Sequence, residues 1–315
     1  AASPYRERFQ QGAALVPRMM CYVERAEVGR LGANAAAPVV RSARSQQEKM
    51  PWKELDSIQH AVEASCLRPA YLGSSIAPFR VLDRPEAVIP VDGTTVLDSA
   101  RAESRGLPNT ADWLRQCEAL WDRHSSGRIT FREQIDWLGK LNSQFPIAPV
   151  RIVYAASGSV AAACVVQDPE AVIEHVLYWA ACAAEDEAHY LAAILNAEET
   201  RRRIEHMQSR GEQGARHFDK LFFTLPIPRF DPASAVHMRL AEAGRQAEAA
   251  AARVLIEPDT AFVTARTAIR EALRDDGTSA GIDALVNELL GDAGLQDRAA
   301  PTGESVTFDA LIGRA

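Results

Sequence analysis

Residues 208–220 read Gln-Ser-Arg-Gly-Glu-Gln-Gly-Ala-Arg-His-Phe-Asp-Lys, and Leu225-Pro-Ile-Pro-Arg-Phe230 follows shortly after. Arg210, Arg216 and Lys220 supply cations, Gln208 and Gln213 supply amides, and Gly211 and Gly214 are hinges. Glycine lets a backbone approach another surface closely. Arg, Lys and Gln contact phosphates and read base edges. The pattern predicts a loop that touches a nucleic acid, running into an apolar strand stopped by two prolines.

Two further clusters have the same chemistry. Arg41, Arg44, Gln46, Gln47 and Lys49 lie together, with Trp52 adjacent. Arg bonds guanine bidentately and Gln bonds adenine in the same way. Trp52 has two open readings: a stacking platform for a base, or an anchor on the domain surface. Lys140, Asn142 and Gln144 form another such cluster before Phe145-Pro146. A solvated polar run is the rival reading of each cluster.

Several common catalytic patterns are missing from the sequence. There is no G-x-G-x-x-G, no P-loop and no H-E-x-x-H. Glu185, Asp186 and Glu187 beside His189 read as an acidic first helical turn that suits the helix dipole. A metal-dependent nuclease would draw on Glu212, Asp219 and Lys220. A third class of reading is a helical scaffold whose tail, residues 234–290, binds another subunit.

The 315 residues carry a net charge of −7, which argues against nucleic acid until its distribution is seen. Residues 1–60 have a balance of +3 and residues 201–230 of +4, against −8 for 61–200 and −6 for 231–315. Two basic islands thus sit in an acidic chain. The five cysteines are scattered and form no CxxC pair. They read as apolar core residues in a reducing, cytoplasmic protein. No run of about 18 apolar residues is present, so no membrane span is expected. The N-terminus lacks an initiator Met and a signal-peptide core, which suggests an excised piece of a longer chain.

Periodicity places the elements that must carry these clusters. Leu15–Val23 reads as a strand, and 25–51 as a long loop or hairpin tip. Short strands and turns fill 62–90. Thr110 is a plausible N-cap for a helix whose face is Trp113, Leu114, Cys117, Leu120 and Trp121, an aromatic stripe read as core. Residues 129–142 are ambiguous. Arg151–Ala155 and Val160–Val166 form a hairpin, and Val172–Ala180 a further strand. Helices are expected over 184–195, 198–207, 234–256, 259–273 and 280–290.

The ordered set of segments resembles the C-terminal target-recognition region of TaqI-type and type IIG adenine-specific (N-6) DNA methyltransferases. Gly12-Ala-Ala-Leu-Val-Pro-Arg18 is similar to the opening motif. Leu67-Arg-Pro69, Leu72-Gly73, Ile76, Phe79 and Val88-Ile-Pro90 resemble the "R-P-x-x-x-G-x-x-I" segment. Leu177-Tyr-Trp179, Glu187-Ala-His-Tyr-Leu191 and Ile194-Leu-Asn196 follow in order, with Ala197 where the family's "L-N-S" has serine. The closing Leu225-Pro-Ile-Pro228 completes a likeness over roughly residues 10–230. The family's N/D-P-P-Y/F/W tetrapeptide is missing from the sequence.

The resemblance implies an α+β fold, a mixed strand-and-loop recognition domain followed by a C-terminal helical region. Residues 1–230 would form that domain, with a possible sub-boundary near 95–150. Residues 231–295 would be the helical tail and 296–315 a frayed end. The implied role is non-catalytic reading of double-stranded DNA opposite an N-terminal methyltransferase domain of the same parent chain. That domain must take its base out of the stack. No cofactor is implied in this fragment, and S-adenosylmethionine is implied in the parent. Arg18, Arg68 and Lys220 would position phosphates. Arg41, Arg44, Gln46, Gln47, Gln144, Arg210, Gln213 and Arg216 would face base edges, with Lys49, Lys140 and Asn142 beside them.

Overall fold

In the computed structural model, residues 2–26, 34–46, 48–158, 161–208 and 217–291 are described. The fold is α+β, with several small sheets and a run of helices at the C-terminal end. It divides into two compact units that interleave along the chain.

One unit comprises Ala13–Ala70 and Pro85–Pro146. Its antiparallel strands run in the order Leu67–Tyr71, Glu86–Val88, Tyr22–Arg25, Val39–Ser42 and Gln59–Ala61. The register pairs Leu67 with Val88, Tyr22 with Ala87, Val23 with Ser42 and Val40 with His60. Residues Leu15–Val23 are therefore not one strand. A single helical turn, α1 (Arg18–Cys21), precedes the strand at Tyr22 and buries Met19, Met20 and Cys21. The expected loop over 25–51 contains the strand Val39–Ser42, which small residues around it conceal from periodicity.

Helix α2 (Ser99–Ser104) leads into α3 (Pro108–His124). The predicted apolar stripe is buried there: Trp113, Leu114, Cys117 and Trp121. The helix begins before Thr110, with Pro108 in its first turn, a position where the missing N–H costs nothing. Its cap comes from elsewhere in the chain. Glu63 accepts from the backbone N–H groups of Asn109 (2.9 Å) and Thr110 (2.6 Å), and from Thr110 Oγ1 (2.5 Å). Burial pushes the Glu63 carboxyl up, but these hydrogen bonds outweigh it and leave its pKa below the ordinary value. Helix α4 (Phe131–Ile135) resolves the ambiguous stretch. Thr130 and Glu133 close a capping box at its start.

The other unit comprises, among the described residues, 2–12, Tyr71–Arg84 and 147–291. Its antiparallel sheet runs Gln10–Gln11, Leu177–Ala181, Arg151–Ala155, Ala163–Val166. The predicted hairpin pairs Val153 with Cys164, and Val153 also faces Trp179 on the next strand. Gly12 is obligatory, because a Cβ there would lie 2.3 Å from the carbonyl oxygen of Ile173. Residues 172–180 hold two short strands, Val172–Ile173 and Leu177–Ala181, rather than one.

Helices α5 (Glu185–Asn196), α6 (Glu198–Ile204), α7 (Ala235–Arg253), α8 (Phe262–Asp275) and α9 (Thr278–Leu290) follow the expected positions closely. Helix α5 buries Ala188 to Leu195 without interruption. Gly244 lets α7 approach it, since a Cβ on Gly244 would lie 2.3 Å from the His189 carbonyl oxygen. Arg80 Nη1 donates to Ala251 O (3.0 Å) and Val254 O (2.7 Å), which satisfies carbonyls at the end of α7. The expected strand before Leu225-Pro-Ile-Pro228 is instead a 3₁₀ turn, Leu221–Thr224, in which Phe222 and Phe223 enter the core. The segment after it is pinned by Ser3 Oγ to Ile227 O (2.7 Å) and Tyr190 Oη to Pro228 O (3.0 Å). Prolines supply no donor for a ladder, so side chains fix the segment instead.

The five cysteines are buried with free thiols. No helix among the described residues is long and apolar enough to cross a membrane.

Candidate nucleic-acid interface

The first polar cluster stands on the segment after Val39–Ser42. Its base is clamped by Ser42, whose N–H donates to Ile58 O (2.8 Å) and whose Oγ accepts from Ile58 N (2.9 Å). Arg44 is the strut of the loop. Its guanidinium donates to Leu55 O (2.8 Å), Trp52 O (2.9 Å) and Lys53 O (2.9 Å), and pairs with Glu48 at 3.0 Å. Glu48 in turn accepts from Met19 N (2.8 Å). Most of the donors of Arg44 are thus spent inside the protein. Trp52 also turns inward, stacked on Trp121, which matches the anchor reading.

What the loop offers to solvent is Gln46, Lys49 and Met50, with Lys53 beside them. Gln47 lies outside the described residues. Arg41 is exposed on the strand, across from Glu24, with which it pairs at 3.2 Å. More than half of each side chain is open to water. Such a pair contributes at most about 1 kcal/mol and releases its arginine readily. Lys53 went unnoticed in the sequence because it sits among acidic neighbours, Glu54 and Asp56; its amine reaches Gln46 O at 3.4 Å.

The second cluster follows α4. Asp136 Oδ1 accepts from the N–H groups of Leu141 (3.1 Å) and Asn142 (2.9 Å) and folds the segment into a tight turn. Lys140 is half-buried, and burial lowers its pKa. Asn142 is half-buried. Gln144 is 1% exposed, and its Nε2 donates to Lys140 O at 3.1 Å. Its amide braces the turn. Arg68 lies over the Phe145 ring (5.5 Å to the centroid) and Arg18 over the Tyr22 ring (5.2 Å).

In the third cluster, Arg210, Gln213 and Arg216 lie outside the described residues, as does Glu212. Lys220 is half-buried at the start of the Leu221–Thr224 turn. Asp219 beside it has a left-handed φ of 39°, and burial raises its carboxyl pKa. Among the described residues, no group of three His, Cys, Asp or Glu side chains is placed to hold a metal ion.

The acidic start of α5 is structural. Glu187 accepts from Tyr5 Oη (2.9 Å), Arg8 Nη1 (2.5 Å) and Ala183 N (2.9 Å). His189 sits between Glu185 O (2.9 Å) and Glu248 Oε2 (2.7 Å). Two residues that the sequence did not single out stand out on the surface of the first unit: Met50, 56% exposed, and Leu138, 76% exposed. Only backbone geometry sets Leu138 apart, so residue type gave no signal.

No family model matches the chain. No curated protein matches it either. Among solved structures it is similar to the type IIL restriction-modification enzyme MmeI, a structure in complex with DNA. The TM-score is 0.50 at 10% identity, covering 76% of this chain and 29% of that one. It also matches the type IIG restriction endonuclease BpuSI with a TM-score of 0.39 at 14% identity, over 92% of this chain and 32% of that one. The chain therefore spans about a third of the length of either enzyme. The MmeI likeness is one of fold, and the BpuSI superposition is weaker. The chain thus has a fold found within a restriction-modification enzyme.

Proposed function

We propose that this chain is a DNA target-recognition portion of a restriction-modification enzyme. The observation that carries the reading is the likeness of fold to MmeI, a restriction-modification enzyme bound to DNA, over 29% of that enzyme's length. A piece of that size suits a reader of DNA within a larger enzyme. On this reading the partner is double-stranded DNA. Methylation of adenine, with S-adenosylmethionine, belongs to a catalytic domain elsewhere in the parent chain, as the resemblance of the motifs implies.

The surface that fits this role is Arg41, Gln46, Lys49 and Lys53 on one segment. Cations there contact phosphates, and the amide and guanidinium can reach base edges. Arg44 and Gln144 contribute by holding their loops rigid, which lowers the ordering cost of binding.

Fluorescence anisotropy of a labelled random-sequence duplex tests the reading. Binding should weaken steeply between 50 and 200 mM salt, in the manner of counterion release (~10³-fold for about six phosphate contacts). The double variant Arg41→Ala/Lys49→Ala should weaken binding on all sequences and reduce the salt slope by about 2. Absence of salt-dependent binding, or an unchanged slope in the double variant, would count against it. Calorimetry should find no S-adenosylmethionine binding by this chain alone.

A further inference from the structure

Helix α8 carries Arg266, Arg270 and Arg274 at intervals of four residues. That spacing puts the three on one face, about 6 Å apart along the axis. Arg266 is 8% exposed, Arg270 is half-buried and Arg274 is exposed, so the row climbs from the core to solvent. None of the three forms an ion pair among the described residues.

Their hydrogen bonds go to carbonyls instead. Arg266 Nε donates to Ile76 O (2.9 Å) and its Nη2 to Gly73 O (2.5 Å). Arg270 Nη2 donates to Ala161 O, and its Nε and Nη1 bond no described group. A carbonyl oxygen satisfies an N–H but carries no net charge, so both cations stay uncompensated. Burial pushes both guanidinium groups down to about 10, and at Arg270 the repulsion of Arg266 adds to it.

The charges around Arg270 have an excess of cations. Besides Arg266, those that act on it most are Arg201 on α6, Arg274, and one carboxylate, Glu198. Glu198 is already paired with Arg201 at 2.6 Å, and Glu205 pairs with the same arginine at 3.4 Å. Four guanidinium groups therefore meet two carboxylates. Beyond them the balance is even: Arg202 and Arg203 share Glu199 (3.1 and 2.7 Å), and Asp283 accepts from Glu199 N (2.9 Å). Glu271 and Asp275 each follow one of the row by one residue, about 100° round the helix. Asp276 turns to Thr278 N (2.9 Å). The dipole of α8 favours a cation in its last turn, which accounts for Arg274 but not for Arg270, a turn further in.

A half-buried guanidinium without a counter-ion costs free energy that an anion would return. The unused donors of Arg270, with those of Arg274 one turn along, suit the oxygens of a phosphate. We propose that Arg270 and Arg274, with Arg201 adding its charge, form a binding site for a phosphate group. Arg270 is the floor of the site and Arg274 its rim. A free phosphate and a phosphodiester present the same oxygens, so the site does not depend on the recognition reading.

The test uses the full chain in chloride buffer at fixed ionic strength. The two probes are inorganic phosphate and a labelled random-sequence duplex. Thermal melting with rising phosphate reads the free anion, and anisotropy reads the duplex. Phosphate raises melting temperatures in general, so the difference between variants is the measure. Arg274→Ala should weaken phosphate binding by about tenfold, as the loss of one charge-assisted contact. Its melting temperature without phosphate should not fall, because an exposed side chain leaves a group of like charges. Arg270→Lys keeps the charge but loses the planar fork, and should weaken phosphate binding too. Arg202→Ala removes an equal charge from an exposed position on α6 and should leave phosphate binding unchanged. If Arg274→Ala also weakens duplex binding and lowers the salt slope by about 1, the phosphate belongs to a nucleic acid. If the duplex is unaffected, the site takes a free phosphate. The site is refuted if both probes are indifferent to Arg274→Ala, or if Arg202→Ala has the same effect. That result leaves the recognition reading to the Arg41→Ala/Lys49→Ala variant, which decides it separately.

Discussion

Trp52 lies flat on Trp121, with ring centroids 5.6 Å apart and planes 8° from parallel. Trp121 is itself fixed, since its Nε1 donates to Ile129 O at 2.8 Å and its ring meets Phe131 at 6.1 Å. The pair ties the polar loop after Val39–Ser42 to helix α3. Offset aromatic pairs contribute about 0.5–1.5 kcal/mol beyond burial alone.

Trp52→Ala should therefore lower stability by roughly 2 kcal/mol, as a half-buried aromatic removed from a stack. Urea denaturation measures this. Amide hydrogen exchange should quicken across residues 44–55 and stay unchanged in α7. A variant with undiminished stability and slower exchange in the loop would refute the anchor.

Glu187 gives a pH-dependent stability. Burial pushes its carboxyl up, but the Arg8 guanidinium, the Ala183 N–H and the Tyr5 hydroxyl outweigh this and hold it below the ordinary value of 4.5. A carboxylate with a depressed folded pKa stabilises the protein above its unfolded pKa, and the contribution is lost as pH falls through the folded one. Wild-type stability should be full above pH 4.5 from this group and decline below it. Glu187→Gln should flatten that part of the profile and cost roughly 2 kcal/mol at pH 7, because Arg8 loses its charged partner. Chemical denaturation at pH 3.5, 4.5 and 7 decides; parallel profiles for the two proteins would contradict the assignment.

Two helical glycines should respond in opposite directions to the same substitution. Gly244→Ala puts a methyl group 2.3 Å from the His189 carbonyl, so α5 and α7 must part, at a cost of about 2–3 kcal/mol. Gly281→Ala, in α9, meets nothing within 4 Å and should stabilise by roughly 0.5–1 kcal/mol. Thermal melting of both variants makes the comparison. A stabilised Gly244→Ala would mean that the two helices are not in close contact.

The C-terminal helices were legible in the sequence because each needs only its own apolar spacing. Residues 259–273 foretold Phe262–Asp275, and 280–290 foretold Thr278–Leu290. The strand Val39–Ser42 and the turn Arg18–Cys21 were not, since both are set by partners far along the chain. The same distinction governs the interface. Arg44 and Gln144 have the right types for reading bases, yet their hydrogen bonds go to backbone carbonyls. Type and spacing do not tell whether a donor is already occupied. The start of α3 makes the point again: Glu63, some 46 residues before Asn109, supplies what Thr110 was expected to supply.

The interleaving of the two units has a practical consequence for protein engineering. The path runs from one unit to the other after Gly12, Ala70, Arg84 and Pro146. No single cut yields either body with its own strands complete. A chimaera that exchanges the polar-loop unit must transplant two separate segments, 13–70 and 85–146, and rejoin the chain at all four of those points.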